Sequence, residues 1–423
     1  MTTSGAVPLK RHVAAVVAGN ALEFYDFLTY SFFAIYIGDT FFPAKDPVTS
    51  LLASLATFGA GFATRPLGGI VLGMLGDRMG RKPAMYLSFT LMGLGMLGVT
   101  LTPSYAAIGV AAPVLLITFR LVQGFALGGE VGPTTAFLIE APPPSLRGFY
   151  GSLQSASQYV ATLVAGGVGT LLAALLTRSE LVSWGWRLAF LAGAAIIPFG
   201  LMVRRSLPET LDGTVSLPSE ALREHWPTVI FGLMLMAGAT IATYVILSLT
   251  TYAQATLHMP AQWSFAATVA IGLGGVSGAP FGGYLSDRKG RKPVMLVSNG
   301  LLMISTIPVY FALSQLRLGL VLVLASFYLT FLLAMNAGVG IMALCELLPP
   351  KIRSGAMSTI YALAIAIFGG SAQFIVVWLT DRLHDPMAPA YYMAAALVVS
   401  FIAIMALHES APIRLAQSHP PHS

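Results

Sequence analysis

Five ionisable side chains stand inside stretches that are otherwise apolar: Glu23 and Asp26 in the first, Arg65 in the second, Arg120 and Glu130 in the fourth. Ionised groups at mid-bilayer are costly, so such residues face a cavity, pair with one another and mark a path for solutes or protons. At the helical rise per residue, Glu23 and Asp26 fall roughly 17 to 21 Å into the first helix, and Arg65 lies about 16 Å from the end of the second. Arginine carries a planar fork that matches carboxylate geometry, which makes Arg65 and Arg120 candidates for holding an anion. A coupled proton needs a carboxylate that desolvation induces to hold it and a nearby cation induces to release it. Asp26, Glu23 and Glu130 fit that requirement. Glu23 and Asp26 are three apart and share a helix face, so one is expected to be held by an arginine, Glu23, while Asp26 titrates. The competing reading is a static ion-pair network bracing the N-terminal half, which applies most directly to Arg120 with Glu130.

Neutral groups extend this set. The fifth stretch carries Gln154, Ser155, Gln158 and Tyr159, with Gln154 and Gln158 on one face, able to hydrogen-bond a hydroxyl or carboxylate. The C-terminal half offers Tyr244, Thr250, Tyr252, Asn299, Asn336 and Gln373 and no mid-helix charge. Anion binding is therefore expected in the N-terminal half, with the C-terminal half closing over the ligand through neutral groups such as Asn336. Taken singly, each of those polar residues is better suited to bridging helices than to touching a ligand.

The elements that must position these groups are membrane helices. With 56% hydrophobic and 9% charged residues, the chain cannot assemble a water-soluble surface. Apolar stretches long enough to cross the hydrocarbon fall near 12–38, 50–75, 84–102, 106–138, 150–176, 187–204, 227–253, 262–284, 293–313, 317–344, 356–380 and 390–408. The net charge of +6 does not point to nucleic acid. Most lysines and arginines gather in alternate loops, and this positive-inside pattern places both termini in the cytoplasm. The first stretch contains Glu23 and Asp26 and lacks a cleavage site, so it reads as a helix and not a signal peptide. The single cysteine, Cys345, excludes an intramolecular disulfide and reads as a packing residue. Arg187, beside Trp184 and Trp186, reads as an interfacial anchor. Small-xxx-small pairs at Gly69 and Gly73, Gly124 and Gly128, and Gly278 and Gly282 predict close helix approaches.

The two halves repeat. Asp77-Arg-Met-Gly-Arg-Lys-Pro83 returns as Asp287-Arg-Lys-Gly-Arg-Lys-Pro293, and Glu140, Pro144, Arg147 and Gly148 return as Glu346, Pro350, Arg353 and Gly355. Parallel repeats of this kind predict residues 1–205 as one six-helix bundle, 206–226 as a cytoplasmic linker, 227–410 as the second bundle and 411–423 as a disordered tail. Gly80 and Gly290 supply tight reversals, and Asp77 and Asp287 are placed to cap a neighbouring helix or pair with a local arginine. A gating latch is expected from Asp77, Arg78, Arg81, Glu140 and Arg147, with Asp287, Arg288, Arg291, Glu346 and Arg353 as its counterpart. Anchoring to headgroups is the simpler alternative.

Gly73-x-x-x-Asp77-Arg78-x-Gly80-Arg81-Lys82 and its second copy from Gly283 to Lys292 resemble the loop signature of the major facilitator superfamily. Asn20-Ala-Leu-Glu-Phe-Tyr-Asp26, Gly61-Phe-Ala-Thr-Arg65-Pro-Leu-Gly-Gly69, Arg120-Leu-Val-Gln-Gly-Phe-Ala-Leu-Gly-Gly-Glu130 and Arg147-Gly-Phe-Tyr150 resemble its metabolite:proton symporter family. Ser155-Ala-Ser-Gln158, Trp184-Gly-Trp-Arg187, Arg204-Arg-Ser-Leu and Ala366-Ile-Phe-Gly-Gly370 look most like the citrate-proton symporter branch. The resemblance implies an all-α membrane protein of twelve transmembrane helices in two six-helix pseudo-repeat bundles. It also implies a monomer in a bacterial inner membrane that imports a small organic anion with protons, citrate or a related tricarboxylate. Carriage of another metabolite (2-oxoglutarate, shikimate or betaine), export and exchange are alternatives on the same fold. The osmolyte-carrying relatives carry a long C-terminal coiled coil, for which the tail here is too short. No P-loop or His-Glu-x-x-His motif occurs, so neither enzyme chemistry nor a cofactor or metal is expected.

Overall fold

The computed structural model describes residues 9–79, 81–128, 138, 142–193, 226–348 and 350–411. Among these, regular structure is helical throughout, with no strand. This follows from the solvent, because a lone segment in hydrocarbon can satisfy every backbone polar group only as a helix.

The first crossing is α1 (Leu9–Phe32) and α2 (Ala34–Phe41), continuous through Phe33. The second is α3 (Pro47–Ala63) and α4 (Arg65–Met79). Its break at Thr64 has a local cause: Pro66 has no N–H to offer the carbonyl of Phe62, and Thr64 instead sends its hydroxyl to the Leu121 carbonyl of the fourth crossing at 2.8 Å. Asp46 caps α3 by accepting from the amides of Val48 and Thr49. The Thr49 hydroxyl, followed by the Val48 amide, holds this exposed carboxyl below the usual range. Next come α5 (Arg81–Leu101), α6 (Ala111–Leu127) and α7 (Arg147–Leu175). The sixth crossing is described from Trp186 to 193.

The second half repeats this order. Its seventh crossing is α8 (Trp226–Leu247) with α9 (Leu249–Ala255), followed by α10 (Ala261–Lys289), α11 (Arg291–Leu316) and α12 (Gly319–Leu347). The eleventh is α13 (Pro350–Ala364) with α14 (Gly370–Leu383) across a π-turn at Ile365–Gly369, and the twelfth is α15 (Ala388–Ala406). Eight of the described helical segments are long and apolar enough to span a bilayer, and Tyr86–Leu101 and Ala111–Leu127 are shorter apolar helices. The fold is thus the expected all-α membrane architecture. The expected linker and tail fall largely outside the described residues. Several helices outrun their apolar stretches; α10 reaches Lys289 because the charged signature forms its last turn.

The halves meet along α7 and α10, which pack over most of their length. Side chains of one helix fill glycine positions of the other: Tyr159 stands over Gly275, Leu163 over Gly272, and Phe265 over Gly169. On the opposite side α3 meets α14, where Gly59 and Gly370 bring the two backbones into contact.

Candidate functional site

The kink in the second crossing sets Arg65 at the first turn of α4, and Gly124 and Gly128 bring Arg120 beside it. A side chain at either glycine would overlap the backbone of Gly61 or of Arg65, so α6 can lie against α3 and α4 only with glycine at these points. Both guanidiniums are buried, Arg120 at 0% and Arg65 at 5% exposure. They share an aromatic box. Arg65 lies 4.4 Å from the Phe27 ring centre and 4.5 Å from that of Phe62, and Arg120 lies 4.8 Å from Phe27 and 4.4 Å from Tyr30. Rings packed this way supply the negative face a desolvated cation lacks, up to about 2 kcal/mol each. Tyr244 closes the box from the other half, edge-on to Phe62 at 5.5 Å.

The arginines keep the same edge unpaired. Nε and Nη2 of Arg65, and Nε and Nη2 of Arg120, are buried without a hydrogen-bond acceptor among the described residues. That pair of donors is the side of a guanidinium that engages a carboxylate bidentately. Since both groups sit over Phe27, their centres are no farther apart than 4.4 plus 4.8 Å. Two unit charges at such a separation repel by about 2 kcal/mol at an effective dielectric of about 20, and an anion between them would relieve this.

Asp26 is buried at 1% exposure and reaches Arg120 through an intermediary. Gln123 donates from Nε2 to Asp26 Oδ2 at 2.6 Å, and its Oε1 accepts from Arg120 Nη1 at 2.7 Å. Asp26, the carboxylate expected to titrate, is thus tied to Arg120 by a neutral amide. Asp26 Oδ1 has no hydrogen-bond partner among the described residues. Gln123 is the residue that sequence reasoning missed; its position three residues after Arg120 on the same face was the available signal.

Other expected ligands stand on α7 and α12. Gln154 and Asn336 are buried, and both side-chain polar atoms of each are unpaired among the described residues. Ser155 is buried and faces Gly338 of α12. Tyr361 lies close to Gln158 and within electrostatic reach of Arg65. The remaining polar residues bridge helices: Thr250 bonds Thr268 at 2.6 Å, Asn299 donates to Ser400 at 3.2 Å, and Tyr252 donates to the Pro386 carbonyl at 2.8 Å. Arg187 donates to the Thr100 and Thr102 carbonyls and to Ser183, which makes it a cap for the end of α5. Glu23 and Glu130 have side chains outside the described part.

A second cluster joins the halves at the loop face. Asp287, in the last turn of α10, accepts from the backbone N–H groups of Gly148 (2.8 Å) and Phe149 (2.9 Å) at the start of α7, just after Arg147. A carboxylate from one half thus caps a helix N-terminus of the other. Arg291 pairs with Asp287 at 2.7 Å and with Glu346 at 2.9 Å. Gly290, at φ +101°, makes the reversal that allows this. Arg288 lies 4.3 Å from the Tyr284 ring. Glu409 is an unexpected addition, accepting from the backbone N–H groups of Arg291 and Lys292 at 2.9 and 3.2 Å, while Ser410 donates to Glu346 at 2.8 Å. The side chains of Asp77, Arg78, Arg81 and Arg353, and residue Glu140, lie outside the described part. At the far face, Tyr36 donates to Gln254 at 3.0 Å, and Ser31 and Gln373 exchange hydrogen bonds at 2.9 and 2.6 Å.

A twelve-crossing fold in two similar halves, with a charged centre and polar ties at each face, defines a membrane transporter. The Major Facilitator Superfamily profile matches residues 16–372, and the chain belongs to that superfamily, whose members are transporters and not enzymes. It is 36% identical over 423 residues to the citrate-proton symporter of Klebsiella pneumoniae, covering 98% of this chain and 95% of that one. The citrate-proton symporter of Salmonella typhi is also 36% identical, over 92% of each chain. A proline/betaine transporter of Salmonella typhimurium is 30% identical over 95% of this chain and 84% of its own. Among solved structures, a D-xylose-proton symporter superposes with a TM-score of 0.77 at 18% identity, covering 95% of this chain and 98% of that one. The Escherichia coli fucose:proton symporter does so with a TM-score of 0.65 at 15% identity, over 93% and 98%. At these identities the structural likeness is one of fold alone.

Proposed function

We propose that this chain is a proton-coupled symporter that imports a small polycarboxylate, citrate or a related tricarboxylate, by alternating access. The observation that carries this reading is the pair of buried guanidinium edges: two neighbouring forks with no acceptor among the described residues suit a ligand bearing at least two carboxylates. In this reading Arg65 and Arg120 hold carboxylates, while Gln154, Ser155, Gln158 and Asn336 contact the remaining oxygens. Asp26 carries the proton, with Glu23 and Glu130 as further candidates. The latch of Asp287, Arg291 and Glu346 seals one face until the halves rock. The naming of the Klebsiella and Salmonella relatives supports the substrate class. The aromatic box would suit a quaternary ammonium, as in a betaine carrier, but its ring faces are already taken by the two arginines.

We place the protein as a monomer in the bacterial inner membrane with both termini cytoplasmic; the loop distribution of lysine and arginine supports this orientation. Counterflow in proteoliposomes with labelled citrate, tricarballylate, 2-oxoglutarate, shikimate and betaine tests the assignment. Tricarboxylates are expected to exchange fastest, and preferential exchange of betaine or shikimate would overturn it.

A further inference from the structure

The orientation of the Gln123 amide is dictated by charge. Arginine only donates and an ionised carboxylate only accepts, so Oε1 must face Arg120 and Nε2 must face Asp26, as observed. Protonation removes half of this constraint, because a neutral carboxyl can itself donate. We propose that Gln123 is a rotating amide that couples protonation of Asp26 to the anion-binding state of Arg120. This rests on the polycarboxylate symporter reading above.

One proton is added at Asp26 Oδ2, and no other covalent bond changes. The new O–H requires an acceptor, and the amide supplies one by turning Oε1 toward Asp26. Nε2 then faces Arg120 Nη1, donor against donor, so Nη1 loses its acceptor and is released to the substrate carboxylate alongside the Nε–Nη2 edge that is already unpaired. Proton uptake thereby strengthens anion binding, and by linkage anion binding strengthens proton uptake, as symport requires. Among the described residues, the charged and titratable groups facing Asp26 are Arg120 of α6 and Tyr25 of its own helix, with Arg65 and Tyr30 reaching it through Arg120. On α5, Gly95 lies against the stem that carries this amide: a β-carbon there would stand 2.5 Å from Gln123 Cγ.

The test is citrate binding by purified protein in detergent, measured calorimetrically from pH 8 to pH 6 for wild type, Gln123→Leu and Gly95→Ala. The ligand's own ionisation is common to all three and cancels in the ratio. Wild type gains a charged donor as Asp26 protonates and the leucine variant does not. The ratio of the Gln123→Leu Kd to the wild-type Kd is therefore expected to rise by about tenfold as the pH falls. A merely structural role would shift affinity equally at every pH, so a constant ratio overturns the proposal. Gly95→Ala keeps every functional group but forces the Gln123 stem to shift and so moves the amide off its place between Asp26 and Arg120; it is expected to show the same trend, and it stands in for the leucine variant should that variant not fold. Wild-type protein that binds no citrate at any pH would overturn the substrate reading, and the amide switch with it.

Discussion

Arg120 meets three kinds of partner: ring faces, an amide oxygen and an open edge for a ligand. Lysine in its place would keep the charge and lose the fork. Arg120→Lys is expected to weaken citrate binding by about 1.5 to 3 kcal/mol, or roughly 10- to 150-fold, while the protein still elutes as a folded species in detergent. Binding assays and size exclusion check both halves of that statement. Asp26→Asn should behave differently, since it removes the titrating group and keeps both arginines. Accumulation of citrate against its gradient should vanish, while exchange of labelled for unlabelled citrate, which moves no net proton, should persist. The arginines and Asp26 were legible in the sequence because a charge inside an apolar run needs a reason. Gln123 was not, because a neutral amide is a common helix residue and only the fold shows Asp26 on its far side.

At the scale of elements, the site depends on how closely helices approach. Gly124 sits against the Gly61 backbone, so a single methyl group must push α6 away from α3 and carry Arg120 with it. Gly124→Ala is expected to destabilise the protein by about 1 to 3 kcal/mol and to lower citrate transport, read as a lower melting temperature together with slower counterflow. The small-xxx-small spacing forecast a close approach at this point, and the apolar stretches placed the crossings. Helix ends and breaks were less legible. The last turn of α10 is charged, and the hydrogen bonds that keep it helical are indifferent to hydropathy. The break at Thr64 follows from Pro66, whereas the π-turn at Ile365–Gly369 has no comparable marker in the residues around it.

For the whole molecule, alternating access requires that ties between the halves be strong enough to seal and weak enough to part. Asp287 caps α7 across the interface through two backbone bonds, and Glu346 holds Arg291 independently. Asp287→Asn is therefore expected to preserve the fold and citrate binding while slowing turnover; loss of binding in parallel with transport would contradict a gating role. The Asp287 tie was foreseeable from its duplication in the sequence, but Glu409, 118 residues away from Arg291, joins that network only through tertiary folding. The central claim, proton-driven import of a polycarboxylate, is tested most directly by labelled citrate uptake into proteoliposomes with an imposed, interior-alkaline pH gradient as the only energy source. Citrate should accumulate transiently above its equilibrium level and fall back when a protonophore collapses the gradient. Uptake that never exceeds equilibrium, or accumulation that survives the protonophore unchanged, would contradict it.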